Sequence, residues 1–157
     1  MNLSIDVEDE AWSALPDLEH LSRAAVAAGL TGAGAKAEGI EVALLFTDDK
    51  AIAEINAEWR GKDAPTNVLS FPAPADIPIP AGETRPLGDV VLAYGVVARE
   101  AADQGKTLRD HTTHLILHGV LHLLGYDHED DEEAEEMERL EAGILKGLGI
   151  SNPYERQ

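Results

Sequence analysis

His118-Gly-Val-Leu-His-Leu-Leu-Gly-Tyr-Asp-His128 carries three histidines with three and then five residues between them. On a helix, positions i and i+4 stand one above the other, so His118 and His122 can aim their imidazoles at one point. Gly125 then interrupts the helix. A glycine there can take the left-handed conformation that reverses a chain at a helix end, which brings His128 round toward the same point. Zinc sites that perform chemistry typically use three protein ligands and leave a fourth position for water, whereas structural sites close with four. The stretch supplies three, and it predicts a helix that carries one zinc ion per chain.

A lone histidine on a helix is usually a packed or polar residue, and a pair at i, i+4 arises often by chance. The third histidine beyond a glycine turn, in a chain holding only six, favours the metal. At ~100° per residue, His111 and His114 fall on the same side as His118 and His122. His114, one turn before His118, reads as a pocket residue or a donor behind the ligands; His111 reads as a partly exposed bystander. Thr107 with Asp110 three residues on has the form of a capping pair for this helix. Leu115, Leu117, Val120, Leu121, Leu123 and Leu124 surround it with apolar contacts, as expected of a central, buried helix.

Outward from that helix, the chain alternates strands and helices. Leu3, Ile5 and Val7 alternate with polar residues and suggest a first strand. Asp17 is a candidate cap for a helix to about Leu30, with Leu18, Leu21, Ala25 and Ala28 on one face. After the flexible 31–39 connection, Ile40 to Phe46 reads as an inner strand. Asp48 or Asp49 can cap the next helix, through Ile52, Ile55 and Trp59, with Gly61 at its end. Asn67 to Phe71 reads as a short strand, followed by a proline-rich surface flap from Pro72 to Pro86. Leu87 to Ala93 is a fourth strand, and Gly95 to Gln104 a helix with Val96, Val97 and Ala101 inward. A last helix, about Asp131 to Leu148, offers Ala134, Met137, Leu140, Ile144 and Leu148 to the core. The pattern predicts an α/β or α+β single domain over 1–157: a small, mostly parallel sheet of about four strands packed with about five helices.

Twelve Lys+Arg against 30 Asp+Glu give a formal net charge of −18. Broad electrostatic binding to nucleic acid rests on cations displacing counterions from phosphates, so any such function must come from a small basic spot. Much of the acid is local: 129–141 holds nine carboxylates against the single Arg139, which reads as a solvated helix face. The absence of cysteine excludes disulfides and thiolate metal sites. The N-terminal stretch is acidic and lacks a signal peptide's basic and apolar regions, and no segment reaches the ~20 apolar residues of a membrane span. A cytoplasmic protein without a membrane partner is expected.

Three blocks together resemble one family, the bacterial YbeY-type metal-dependent hydrolases, described as endoribonucleases and ribosomal RNA maturation factors. They are His118 to His128, Trp59-Arg-Gly-Lys-Asp-Ala-Pro-Thr-Asn-Val-Leu-Ser-Phe-Pro72, and Leu87-Gly-Asp-Val-Val91. The likeness covers roughly 40–150. Where the family commonly has tyrosine, this chain has Trp59, with Arg60 still in register. Carried over by position, the resemblance implies His118, His122 and His128 as metal ligands and Arg60 as a functional arginine. It also implies a zinc-dependent, single-strand-specific endoribonuclease in ribosomal RNA maturation and ribosome quality control. Single-stranded ribosomal RNA and the ribosome or a ribosomal protein would be its partners, with no DNA expected.

The residues' own chemistry fits those roles. Arginine offers a planar fork that grips phosphate at two points, with Lys62 as a possible assistant. Asp127 or Glu129 could orient a histidine or accept a proton beside the third ligand. Two other readings compete. In a metallopeptidase HExxH helix the residue after the first histidine is the glutamate base, and here it is Gly119. A non-catalytic ribosome assembly module would use the metal only to pin the C-terminal helices, with a fourth protein ligand such as Asp127.

Overall fold

The computed structural model describes residues 1–74, 78–127 and 129–154. Its elements in chain order are β1 (Asn2–Val7), a 3-10 turn (Glu10–Ala14), α1 (Leu18–Gly32), β2 (Ile40–Thr47), α2 (Asp49–Arg60), β3 (Val68–Pro72), β4 (Arg85–Ala93), α3 (Tyr94–Asp103), α4 (Leu108–Leu123) and α5 (Asp131–Gly147). The four strands form one sheet in the order β1-β2-β4-β3, with β1, β2 and β4 parallel and β3 antiparallel at the edge. This is the expected single α/β domain with a small, mostly parallel sheet. The predicted flap is shortened by β4, which starts at Arg85; its residues 75–77 lie outside the described residues.

Strand alternation divides the sheet between two cores. Val42, Leu44 and Phe46 of β2 and Val90 and Leu92 of β4 face α1 and α4, meeting Leu21, Val26, Leu30, Ile116 and Val120. The opposite face, with Leu69, Val91 and Ala93, is covered by Ile52 of α2. On the side of α4 away from the sheet, Leu117 and Leu121 pack against Met137 and Leu145 of α5. α4 therefore lies between the sheet and α5, and its side chains are buried nearly all round.

The helix ends are set by local hydrogen bonds. Asp48 caps α2 through the Ala51 N–H at 2.7 Å, Thr107 caps α4 through the Asp110 N–H, and Asp130 caps α5 through the Glu133 N–H. Asp49, the other candidate cap, serves a different helix. Its carboxylate accepts from the Val96 N–H at 3.0 Å and from Arg99 at 2.8 Å, fixing the start of α3. Asp17 precedes α1 but makes no capping bond; its carboxylate accepts instead from Arg109, at 2.8 Å. The buried line of α5 runs through Met137, Glu141 and Leu145, so Leu140, Ile144 and Leu148 flank the interface instead of centring it. Among the described residues no helix is long and apolar enough to cross a membrane.

α4 comes unusually close to the sheet at Gly119. A Cβ there would lie 2.6 Å from Val90 Cγ1 and 3.1 Å from Ser70 Oγ, and Ser70 Oγ–H donates to the Gly119 carbonyl at 3.2 Å. Val90 is fully buried and cannot yield. Gly119→Ala should therefore destabilise by ~1–3 kcal/mol through overpacking, lowering Tm by ~2–4 °C per kcal/mol. The exposed Gly143 of α5 has nothing within 4 Å of its added Cβ. Gly143→Ala should raise Tm through better helix propensity, by ~0.5–1 kcal/mol. Thermal unfolding of both variants checks the opposite signs.

Candidate metal centre

Four histidines stand in a row along α4, with ring centroids 6.2 Å apart for His111–His114 and His114–His118, closing to 4.5 Å for His118–His122. The hydrogen bonds of the last pair decide what they can do. His118 Nδ1 faces the Glu141 carboxylate, and His122 Nδ1 lies 2.9 Å from the Tyr126 carbonyl oxygen. Both partners are acceptors, so each Nδ1 carries its ring's proton and each Nε2 keeps its lone pair. The two Nε2 atoms are 3.0 Å apart. Two lone pairs at that distance repel unless a cation or an added proton lies between them. Two nitrogens bound tetrahedrally at ~2.0–2.1 Å to one zinc ion would stand ~3.3 Å apart. A backside hydrogen bond to carboxylate or carbonyl is also how metal-binding histidines are usually oriented. The pair fits a divalent metal.

The helix ends where the third ligand is expected. Leu124 closes it, Gly125 turns the chain at φ 102°, and the Tyr126 N–H returns to the Leu121 carbonyl at 3.1 Å. This is the reversal that a left-handed glycine allows. His128 itself lies outside the described residues.

On the other side of His118, the donor atoms of His114, His118 and Glu141 all lie within 4.8 Å of one another, a group that could also hold a metal ion. Its atoms are already engaged. Glu141 is fully buried, and its carboxylate receives the Tyr154 hydroxyl as well as His118. His114 Nε2 lies 3.4 Å from Glu141 Oε2 and 3.3 Å from Tyr154 Oη. A metal there would have to displace this network, whereas the Nε2 atoms of His118 and His122 face a cleft of about 650 Å³. Burial alone would raise the Glu141 pKa. Hydrogen bonds from His114, His118 and Tyr154 outweigh it and hold the carboxyl down at about 2. The Tyr154 hydroxyl is pushed up by burial and by the carboxylate beside it.

The cleft is lined by Arg60, Ser70, Tyr126 and Asp127 together with His118 and His122. Arg60 is the last residue of α2, and Gly61 (φ 69°) turns the chain immediately after it. The turn is pinned by Asn56, whose side-chain amide donates to the Ala64 carbonyl at 2.9 Å. Lys62 is exposed on that turn and is not among the residues lining the cleft. His114 also stands apart from the cleft, beneath the Glu141 network. His111 is not the partly exposed bystander expected: it is 3% exposed, with Nε2 at 3.0 Å from Glu100. Burial lowers its pKa against the pull of that carboxylate.

Two site residues escaped the sequence reading. Glu141 falls within the acidic run that reads as a solvated face, yet it sits four residues from both Met137 and Leu145 on the apolar stripe of α5. That spacing was a usable signal. Tyr154 lies beyond the last helix, in a stretch without periodicity, and had none.

Glu141→Gln keeps the shape but removes the charge behind His118. Metal affinity should fall by ~10–100-fold, as for other groups that orient a ligand from behind, measured by chelator competition. Because its folded pKa of about 2 lies below the ordinary 4.5, the carboxylate stabilises the fold fully above about pH 4.5. That contribution is lost as pH falls toward about 2. Acid unfolding should therefore show the difference between wild type and Glu141→Gln shrinking across that window.

A family model described as Endoribonuclease YbeY matches residues 5–149. A protein named Endoribonuclease YbeY from Azorhizobium caulinodans is 51% identical, over 98% of this chain and 96% of its own length. One of the same name from Paramagnetospirillum magneticum is 47% identical, over 100% and 98%. The solution structure of a Thermotoga maritima protein, 24% identical, superposes with a TM-score of 0.57 over 98% of this chain and 99% of that one, a likeness of fold. The chain belongs to the YbeY endoribonuclease family.

Proposed function

We propose that the protein is a zinc-dependent endoribonuclease that cuts single-stranded RNA in the maturation of ribosomal RNA and in ribosome quality control, acting in the cytoplasm with the ribosome or a ribosomal protein. The observation that carries this reading is the pair of facing Nε2 lone pairs of His118 and His122, in a cleft that also holds Arg60. His128 completes the proposed ligand set. A zinc ion held there supplies a Lewis acid for a phosphoryl oxygen and brings the pKa of a water to ~7. Arg60 grips the phosphate by a charge-assisted, two-point hydrogen bond and stabilises the charge that develops on it. Asp127 is exposed at the cleft and is one candidate to take up a proton, with Glu129 the other.

The peptidase alternative is weakened on two counts. Gly119 lacks the carboxylate of HExxH, and a longer side chain there would run into Val90. The assembly-module alternative predicts a closed site with a fourth protein ligand and, on ligand mutation, loss of stability without loss of a reaction.

Metal analysis should find about one zinc ion per chain, with occupancy falling below pH ~6.5 as the histidine ligands protonate. His122→Ala should lose the metal on dialysis against a mild chelator; full retention would exclude this ligand set. Arg60→Ala should keep metal content and Tm but lose tenfold or more in single-turnover cleavage of single-stranded RNA, since charge-assisted hydrogen bonds contribute ~1.5–3 kcal/mol. Arg60→Lys should recover only part, because it keeps the charge without the fork. Unchanged single-turnover rates in both variants would remove Arg60 from the site. Cleavage of peptides but not RNA, abolished by His118→Ala, would overturn the nuclease reading.

A further inference from the structure

We propose that Trp59 is a stacking platform for a nucleobase of single-stranded RNA, beside the phosphate that Arg60 grips; this rests on the nuclease reading above. The chain has two tryptophans, and they are treated oppositely. Trp12 is 1% exposed and its indole N–H donates to the Thr47 carbonyl, whereas Trp59 is 68% exposed at the end of α2. An indole left in water forgoes a large burial gain, and Trp59 is the most exposed of the large apolar side chains described. It is also held: its ring tilts against Phe71, with centroids 6.2 Å apart.

Its neighbours say what it faces. Arg60, the next residue, lines the metal cleft. Consecutive Cα atoms are ~3.8 Å apart, so the two side chains leave the backbone within a nucleotide's length of each other. The two residues straddle the sheet's edge. On β3, Ser70 reaches the α4 side through its bond to Gly119, while Leu69 and Phe71 belong to the α2 side with Trp59. A strand gripped at Arg60 would cross the β3 edge and lay its next base on the indole. A duplex cannot, because its bases are already stacked and paired.

Charge favours a contact of this kind. The exposed cations Arg60 and Lys62 are matched within the same turn by exposed Glu58 and Asp63, and the chain as a whole carries −18. Phosphate attraction is therefore weak here, and stacking supplies affinity that does not depend on net charge.

Stopped-flow mixing of the metal-loaded protein with a short single-stranded RNA should quench tryptophan emission before cleavage, and the same sequence annealed as a duplex should not. The quench should disappear in Trp59→Phe, which still stacks and should bind within about threefold of wild type by anisotropy. Trp59→Ala should bind about tenfold more weakly. The loss should appear in KM with kcat retained, as for binding made equally in ground and transition states. Metal content and Tm should be unchanged. If Trp59→Ala binds and cleaves like wild type, the stacking site falls and the nuclease reading stands. If wild type neither binds nor cleaves RNA, both fall. Concentration-dependent self-association that Trp59→Ala abolishes would reassign the indole to a contact between copies and overturn the proposal.

Discussion

The buried carboxylate of Glu141 is the constraint around which the centre is built. An ionised group taken fully out of water is tolerated only when it is paired and hydrogen-bonded. Here the partners come from two other parts of the chain: His114 and His118 on α4, and Tyr154 beyond α5. Satisfying the charge fixes how α5 lies on α4. It also fixes the tautomer and direction of the His118 ring, which sends its Nε2 into the cleft. A stability requirement and a chemical requirement are thus met by the same oxygen atoms.

The elements with strong local signals were legible in the sequence: the apolar strands, the histidine helix with its Thr107 cap, and the glycine stops at Gly61 and Gly125. What was not legible depends on partners distant in the chain. Asp17 has the right residue type and position for a cap, but Arg109 comes near enough to take its carboxylate. Asp48 and Asp49 could not be ranked because the approach of α3 to Asp49 is known only from the fold. His111 was misread for the same reason, since Glu100 meets it from α3. At Glu141 the acidic run masked an i, i+4 apolar line. Of the candidate site, the sequence led to His118, His122 and Arg60, which the fold brings to one cleft, and it missed the residues behind them.

The charge distribution now has a structural sense. Apart from Glu141, the acidic surface of α5 lies on the far side of α4 from the sheet, and Arg60 reaches the cleft from α2 on the opposite face. The start of α5 nevertheless adjoins the cleft, since Asp130, Glu129 and the cleft residue Asp127 all raise the Glu133 pKa. At ordinary salt, with a Debye length of ~8–10 Å, much of the repulsion from the rest of the helix is screened at the cleft.

α2 is anchored at both ends by bonds to other segments: Asp49 in its first turn holds the start of α3, and Asn56 near its end holds the following turn. Between them the helix acts as a spacer of fixed length and phase. Its twelve residues at ~1.5 Å each set how far Arg60 stands along the helix from the Asp49 anchor. Adding or deleting one residue would swing the final side chains by ~100° about the axis, while the buried face could be rebuilt from other apolar residues. The reach of the arginine is in that sense encoded as a length, and evolution can vary the identity of nearly every exposed residue on this helix more freely than their number.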